Sequence, residues 1–241
     1  QVLIKTARSL ISTGTELAMF NRIHRGFGDP EHKYAKYPFY PGYAVIGEIV
    51  DAGKNAGDLK KGERVFYPGT HAEYCIAEAG ACTKLGRGIE DDSAMFLVMA
   101  EIAMTSIRMV PVEFGNNVVV SGMGVVGNLC AQLYGLAGAG HVAGADINGF
   151  RLDIARECGV GLLFDVSKSA LKDCIAGSLG ARAEIVVEAV GLNPSLEACF
   201  KAVSTFGTIV LLGSPRNLLS IDPYNDVHVR GVRIVGAHCC R

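Results

Sequence analysis

Apolar positions in the first hundred residues come in short runs, each closed by glycine or charge. Residues 2–5 open the chain with one such run. Residues 43–50 are largely apolar and end at Asp51-Ala52-Gly53. Residues 61–66 read as a turn into a strand, and 72–77 as a further strand. Short strands with turn signals about every eight to twelve residues predict a small barrel or sandwich. The pattern then changes. Residues 92–110 have helical spacing, with Asp91, Asp92 or Ser93 as N-cap. Beyond Asn116, strands predicted at 117–121, 141–146, 161–164, 183–189, 208–212 and 232–235 alternate with helices at 124–136, 150–158, 168–177 and 194–203. Alternating units with apolar strands predict a parallel sheet covered on both faces. The chain therefore divides near residue 108, into a mostly β domain (1–108) and an α/β domain (109–241).

Composition narrows the partners. The 241 residues suffice for two modest domains, and 49% of them are hydrophobic, enough for a packed core. A formal net charge of −1 excludes the basic surface that nucleic acid or an anionic membrane demands. Apolar stretches break well short of the ~20 residues of a membrane span. The expected partner is a small molecule. Cysteines stand at 75, 82, 130, 158, 174, 199, 239 and 240, none in CxxC spacing. They read as free thiols of a cytoplasmic protein. The adjacent Cys239 and Cys240 are either incidental or a weak metal or redox pair. Thirty glycines punctuate the short runs, as many tight turns require.

Residues 122–127 read Gly-Met-Gly-Val-Val-Gly between an apolar strand, Val118-Val119-Val120, and an apolar helix. This is the context of a dinucleotide fingerprint. Gly122 permits the tight turn, Gly124 lets a pyrophosphate approach the backbone, and Gly127 lets the helix pack on the sheet. Val125 and Val126 open the helix, whose free N–H groups face the phosphates. At the end of the next strand, near the expected spacing of ~20 residues, stands Asp146. Its carboxylate would accept from the ribose hydroxyls and repel a 2′-phosphate, which favours NAD over NADP. Arg151 would border the adenine. Val190 and Gly213 follow later strands, at the sheet end where ligands bind, and would leave room for the nicotinamide. The plain alternative for these glycines is an ordinary turn. The second domain is thus expected to be a doubly wound Rossmann fold.

The chain resembles the medium-chain dehydrogenase/reductase superfamily, the zinc-type alcohol dehydrogenase-like proteins. In the first domain the likeness rests on Thr13-Gly14-Thr15-Glu16-Leu17, Pro41-Gly42, Gly47, Val50, Gly53, Gly62-Glu63-Arg64-Val65 and Ala72-Glu73-Tyr74. In the second it rests on the glycine fingerprint, Asp146, Arg151-Leu152 and Glu188-Ala189-Val190-Gly191. The resemblance implies a chaperonin-ten-like (GroES-like) β barrel for the first domain. It also implies that the chain is shortened at both ends and that its parent is a homo-oligomer. Zinc members carry cysteine where this chain has Thr13, and His and Glu where it has Tyr43 and Ala44. Residues 66–73 leave no room for a four-cysteine lobe. Thr and Tyr hydroxyls are poor zinc ligands, so no metal is expected at either site. The string from Ile11 to Glu16 is also similar to that of a zinc-poor branch.

Hydride chemistry belongs to the nicotinamide, so the protein must orient the carbinol and handle its proton. Thr13 and Tyr43, at the lost ligand positions, are the expected catalytic groups; the alternative for Tyr43 is packing. Glu101 interrupts an apolar run, a costly place for an unpaired carboxylate, and is expected to be an acid/base group or a polar anchor. His71 is either part of a proton relay or a strand-edge histidine. Asn21, His24 and Arg25 lie in a polar loop that is solvated or shapes specificity. The expected activity is zinc-independent, NAD(H)-linked interconversion of an alcohol and a carbonyl. The alternatives are a quinone or enone double-bond reductase and a non-catalytic NAD-binding fragment.

Overall fold

A computed structural model describes residues 1–180 and 182–238. Cys239 and Cys240 lie outside the described residues. Contacts divide the chain into two compact units, Gln1–Val98 and Met99–Arg241. The division falls ten residues before the one expected from the pattern. The helix at the junction packs Ile102, Ala103 and Ile107 into the core of the second unit.

The first unit holds β1 (Val2–Ser9), α1 (Thr13–Phe20), β2 (Val45–Ala52), β3 (Arg64–Tyr67), β4 (Tyr74–Ala77), β5 (Thr83–Lys84) and the one-turn helix α2 (Asp91–Ala94). Its strands form an antiparallel sheet in the order β4-β1-β2-β3-β5. Alternation in β1 buries Val2 and Ile4 and exposes Lys5. With Val45, Ile49 and Val65 they make the unit's core. The helix α1 departs from the all-strand expectation. Its physical cause is Glu16, which reaches back so that one carboxylate oxygen accepts the Ser12 N–H at 2.8 Å, a variant of the capping box.

The second unit begins in α3 (Leu97–Met109) and continues β6 (Asn117–Ser121), α4 (Val125–Leu136), β7 (His141–Asp146), α5 (Gly149–Glu157), β8 (Leu162–Asp165), α6 (Leu171–Leu179), β9 (Ala183–Glu188), α7 (Asn193–Ala202), β10 (Val203–Leu211) and β11 (Arg233–Gly236). The single helix expected over 92–110 is broken into α2 and α3, with Glu90 rather than an aspartate or Ser93 at the first N-cap. A π-helical turn, Pro223–His228, was not foreseen. All six strands are parallel, in the order β8-β7-β6-β9-β10-β11, the doubly wound arrangement with its switch between β6 and β9.

Neighbouring residues on one strand serve opposite faces. Val118 and Val120 meet α4 through Cys130, Ala131 and Tyr134. Val119 and Val186 meet α6 and α7 through Leu171, Ile175 and Phe200. Burial on both sides is why these strands read as unbroken apolar runs. Arg230 fastens the end of α7, donating to the carbonyl oxygens of Phe200, at 2.6 Å, and Val203. Among the described residues, no helix is long and apolar enough to cross a membrane.

The six described cysteines are free. Burial pushes the Cys130 thiol up to about 12. The Cys199 thiol is raised further, by burial first and the Glu188 charge second. Only thiolate reacts with alkylating reagents. At pH 8 the exposed Cys158 is therefore expected to label in minutes, and Cys130 and Cys199 only after denaturation. Peptide mapping by mass spectrometry checks the order; early labelling of Cys130 would contradict the packing of α4.

Candidate functional site

In the second unit, β6 ends in a turn that permits little variation. Gly122 has φ +100°, a value L side chains rarely adopt, and its N–H donates to the Ala145 carbonyl at 2.7 Å. A Cβ on Gly127 would lie 1.8 Å from the Gly122 carbonyl oxygen. Helix α4 therefore rests directly on the turn. A Cβ on Gly124 would meet nothing within 4 Å, so the space beside it is open. Gly124 is also the N-cap of α4 and offers no side chain. The N–H groups of Val125, Val126 and Gly127, in the first turn, have no acceptor within the helix. An open space without Cβ, facing unpaired N–H groups and the positive end of a helix, fits a pyrophosphate.

A cleft of about 670 Å³ adjoins this turn, lined by Gly122, Asp146, Arg151, Lys172, Val190 and Lys201 among others. Its size suits a cofactor site. Asp146 is 5% exposed. One carboxylate oxygen accepts the Met123 N–H at 2.7 Å and the other the Asn148 N–H at 2.9 Å. The Arg151 guanidinium lies 3.6 Å away. Asp146 thus ties the glycine turn to β7, a structural duty the sequence did not disclose. A carboxylate has about four acceptor positions, so ribose hydroxyls can still be received.

Glu188, 1% exposed, holds two loops: its carboxylate accepts the N–H groups of Val190 and Gly191, after β9, at 2.9 and 3.0 Å, and its backbone carbonyl accepts those of Leu212 and Gly213, after β10, at 2.9 and 2.7 Å. A Cβ on Gly213 would meet Gly191 N at 2.6 Å. The room that Gly213 leaves is taken by this neighbouring backbone rather than held open for a ring. Glu101 lies on the exposed side of α3, where its carbonyl accepts the Thr105 hydroxyl at 3.1 Å. The expected burial cost does not arise, because helical spacing turns it away from Ala103 and Ser106, which are buried.

In the first unit, Gly42 (φ +106°) brings residues 41–43 against 70–71; a Cβ there would meet His71 N at 2.6 Å. The His71 N–H donates to the Pro41 carbonyl at 2.9 Å, and the Leu10 N–H to that of Ala44 at 2.9 Å. These bonds gather Ser9, Ser12, Glu16, Tyr43 and His71. The Tyr43 hydroxyl donates to Ser12 Oγ. His71 Nε2 lies 3.0 Å from Glu16 Oε2, and its Nδ1 lies 2.9 Å from Ser9 Oγ. Glu16 is 8% exposed; unpaired, such a carboxylate would cost several kcal/mol. Of the sequence candidates, Tyr43 and His71 join this cluster, whereas Thr13 opens α1 with its side chain exposed. Glu16 and Ser12 were not singled out. In the loop that follows, Asn21 caps α1 by donating to the Leu17 carbonyl at 2.9 Å, and His24 accepts the Gly26 N–H at 3.1 Å.

The donors here do not suit zinc. Ala44 offers none, the Tyr43 phenol is engaged with Ser12, and Thr13 is a neutral hydroxyl. Residues 68–73 join β3 to β4 without a cysteine. Among the described residues, no group of three or more His, Cys, Asp or Glu side chains could hold a metal.

Comparison with known proteins agrees with this architecture. The alcohol dehydrogenase GroES-like domain family matches residues 1–145, and the zinc-binding dehydrogenase family matches residues 125–241. L-threonine 3-dehydrogenase of Yersinia enterocolitica is 28% identical over 270 residues, covering 98% of this chain and 76% of its own length. A Sinorhizobium meliloti 1021 protein solved with NADP superposes with a TM-score of 0.85 at 20% identity, over 98% of this chain and 76% of that one. The 2R,3R-butanediol dehydrogenase of Bacillus subtilis gives a TM-score of 0.80 at 18% identity, over 98% and 76%.

The two glycines of the turn are expected to fail differently. Gly127→Ala should lower stability by about 1–3 kcal/mol in urea unfolding, through overpacking. Gly124→Ala should unfold like the wild type yet bind dinucleotide at least tenfold more weakly by fluorescence titration. Equal stability of the two variants would contradict the contact of α4 with the turn.

Proposed function

The chain belongs to the medium-chain, zinc-type alcohol dehydrogenase-like superfamily, and from that premise we propose that it interconverts an alcohol and a ketone or aldehyde with NAD(H) and without zinc. The observation that carries the reading is the buried Asp146, which lines a cleft of cofactor size together with Gly122 and accepts the Met123 N–H of the glycine turn. Bound nicotinamide supplies the hydride chemistry. The N–H groups of Val125, Val126 and Gly127 receive the phosphates, and Asp146 accepts from the ribose hydroxyls. At the position where zinc-type members carry a metal ligand, Tyr43 offers a hydroxyl to the substrate oxygen. A single such donor is worth ~3–4 kcal/mol to the transition state. Thr13, exposed one residue beyond Ser12, is a second donor.

A specific observation favours NADP as the second reading. Arg151, Lys172 and Lys201 line the same cleft as Asp146, and cations there would receive a 2′-phosphate. The Sinorhizobium relative was solved with NADP. Under the first reading, like charge between Asp146 and that phosphate decides for NAD.

Fluorescence titration with NADH and NADPH separates the two. NADH is expected to bind at least tenfold more tightly, and Asp146→Ser to erase most of that preference. The same change should cost about 1–3 kcal/mol of stability, because the buried Met123 N–H loses its acceptor. Selectivity unchanged by the substitution would sink the assignment of Asp146. In the protein as purified, a full equivalent of zinc by elemental analysis would overturn the metal-free reading.

A further inference from the structure

We infer that Glu16 and His71 are positioning residues for the reaction, acting through Ser12 on the Tyr43 hydroxyl. The inference rests on the proposed role of Tyr43 as the group that meets the substrate oxygen. Each link is a contact within the first unit. Both oxygens of the buried Glu16 carboxylate are engaged, one by the Ser12 N–H at 2.8 Å and the other by His71 Nε2 at 3.0 Å. Ser9 Oγ, 2.9 Å from Nδ1, holds the imidazole from its far side. The ring is therefore fixed at both nitrogens, and through Glu16 it fixes the backbone of Ser12.

The Ser12 hydroxyl then has an unusual assignment. Serine at an N-cap ordinarily accepts an N–H of the helix it opens. Ser12 is the N-cap of α1 but makes no such bond. Its oxygen instead receives the Tyr43 phenol. A hydroxyl both accepts and donates. Ser12 can therefore accept from Tyr43 when the site is empty, and donate to it when the phenol turns its hydrogen toward a substrate oxygen. Tyr43 keeps a partner in both states. A purely structural anchor of α1 would leave the serine on the helix.

The backbone contributes as well. The approach of Gly42 to His71 N places the residue after Gly42 and the imidazole on neighbouring segments. Displacing His71 thus acts on Tyr43 from two directions, through Glu16 and Ser12 and through residues 41–43. Misplacing a reacting group by about 1 Å can cost ~100-fold in rate.

The test uses the full chain labelled with ¹³C at tyrosine Cζ, with NADH present. Tyr43→Phe identifies the Tyr43 resonance by its loss. His71→Gln and Glu16→Gln are each expected to shift that resonance and leave the other tyrosine signals in place. If Glu16→Gln does not fold, His71→Gln and Ser9→Ala carry the test. A Tyr43 resonance unmoved in folded His71→Gln would overturn the inference. On any alcohol the wild type oxidises, His71→Gln should lower kcat about tenfold or more, with KM and NADH affinity within twofold. In the Tyr43→Phe background it should add nothing further; multiplying effects would also overturn the inference. A chain that binds NADH but oxidises no alcohol defeats the proposed activity, while the resonance still decides the positioning.

Discussion

The second unit depends on how closely α4 approaches the end of β6. The Gly127 Cα stands where any Cβ would enter the Gly122 carbonyl. That contact sets the direction in which the first N–H groups of the helix point. Asp146 completes the constraint from β7 by taking the Met123 N–H. One carboxylate therefore shapes the turn and faces the cleft. The turn, the helix terminus and the acid are a single construction rather than three independent motif positions. Their joint presence is correspondingly more informative than any one of them.

That construction was legible in the sequence because its demands are local. Three glycines, an apolar strand before them and an apolar helix after them are each visible within twenty residues. The central strands β6 and β9 were legible for a related reason, since burial on both faces makes them nearly unbroken apolar runs. The helix α1 was not. Its Leu17 and Phe20 face outward while Glu16 is buried, which inverts the pattern that marks an amphipathic helix. Glu101 was misjudged for the converse reason. Apolar neighbours in sequence suggested burial, but on a helix the residues adjacent in sequence point elsewhere.

The sequence offered Tyr43 and His71 singly, but not the polar cluster that the first unit makes of them. Ser9, Ser12, Glu16, Tyr43 and His71 are spread over more than sixty residues, and the antiparallel pairing of β1 with β2 and β4 helps draw them together. Tyr43 and Thr13 were found only because the resemblance marks their positions. Glu16 stands in the same motif as Thr13, but the resemblance gave it no role; that appears once its two oxygens are seen to be shared between a backbone N–H and an imidazole. The residues Thr13, Tyr43 and Ala44 were readable at the positions that the resemblance marks. The network of neutral and charged groups around them was not.

The short connection from β3 to β4 has a bearing on how the protein comes to exist. Residues 68–73 carry the chain from one strand to the next without a cysteine. The β3–β4 stretch is held by contacts from within the chain. Its assembly draws only on backbone pairing and on the burial of Val65 and Cys75. Closure of that stretch is a matter of bringing β4 onto β1 and β3 onto β2, pairings that the chain itself supplies.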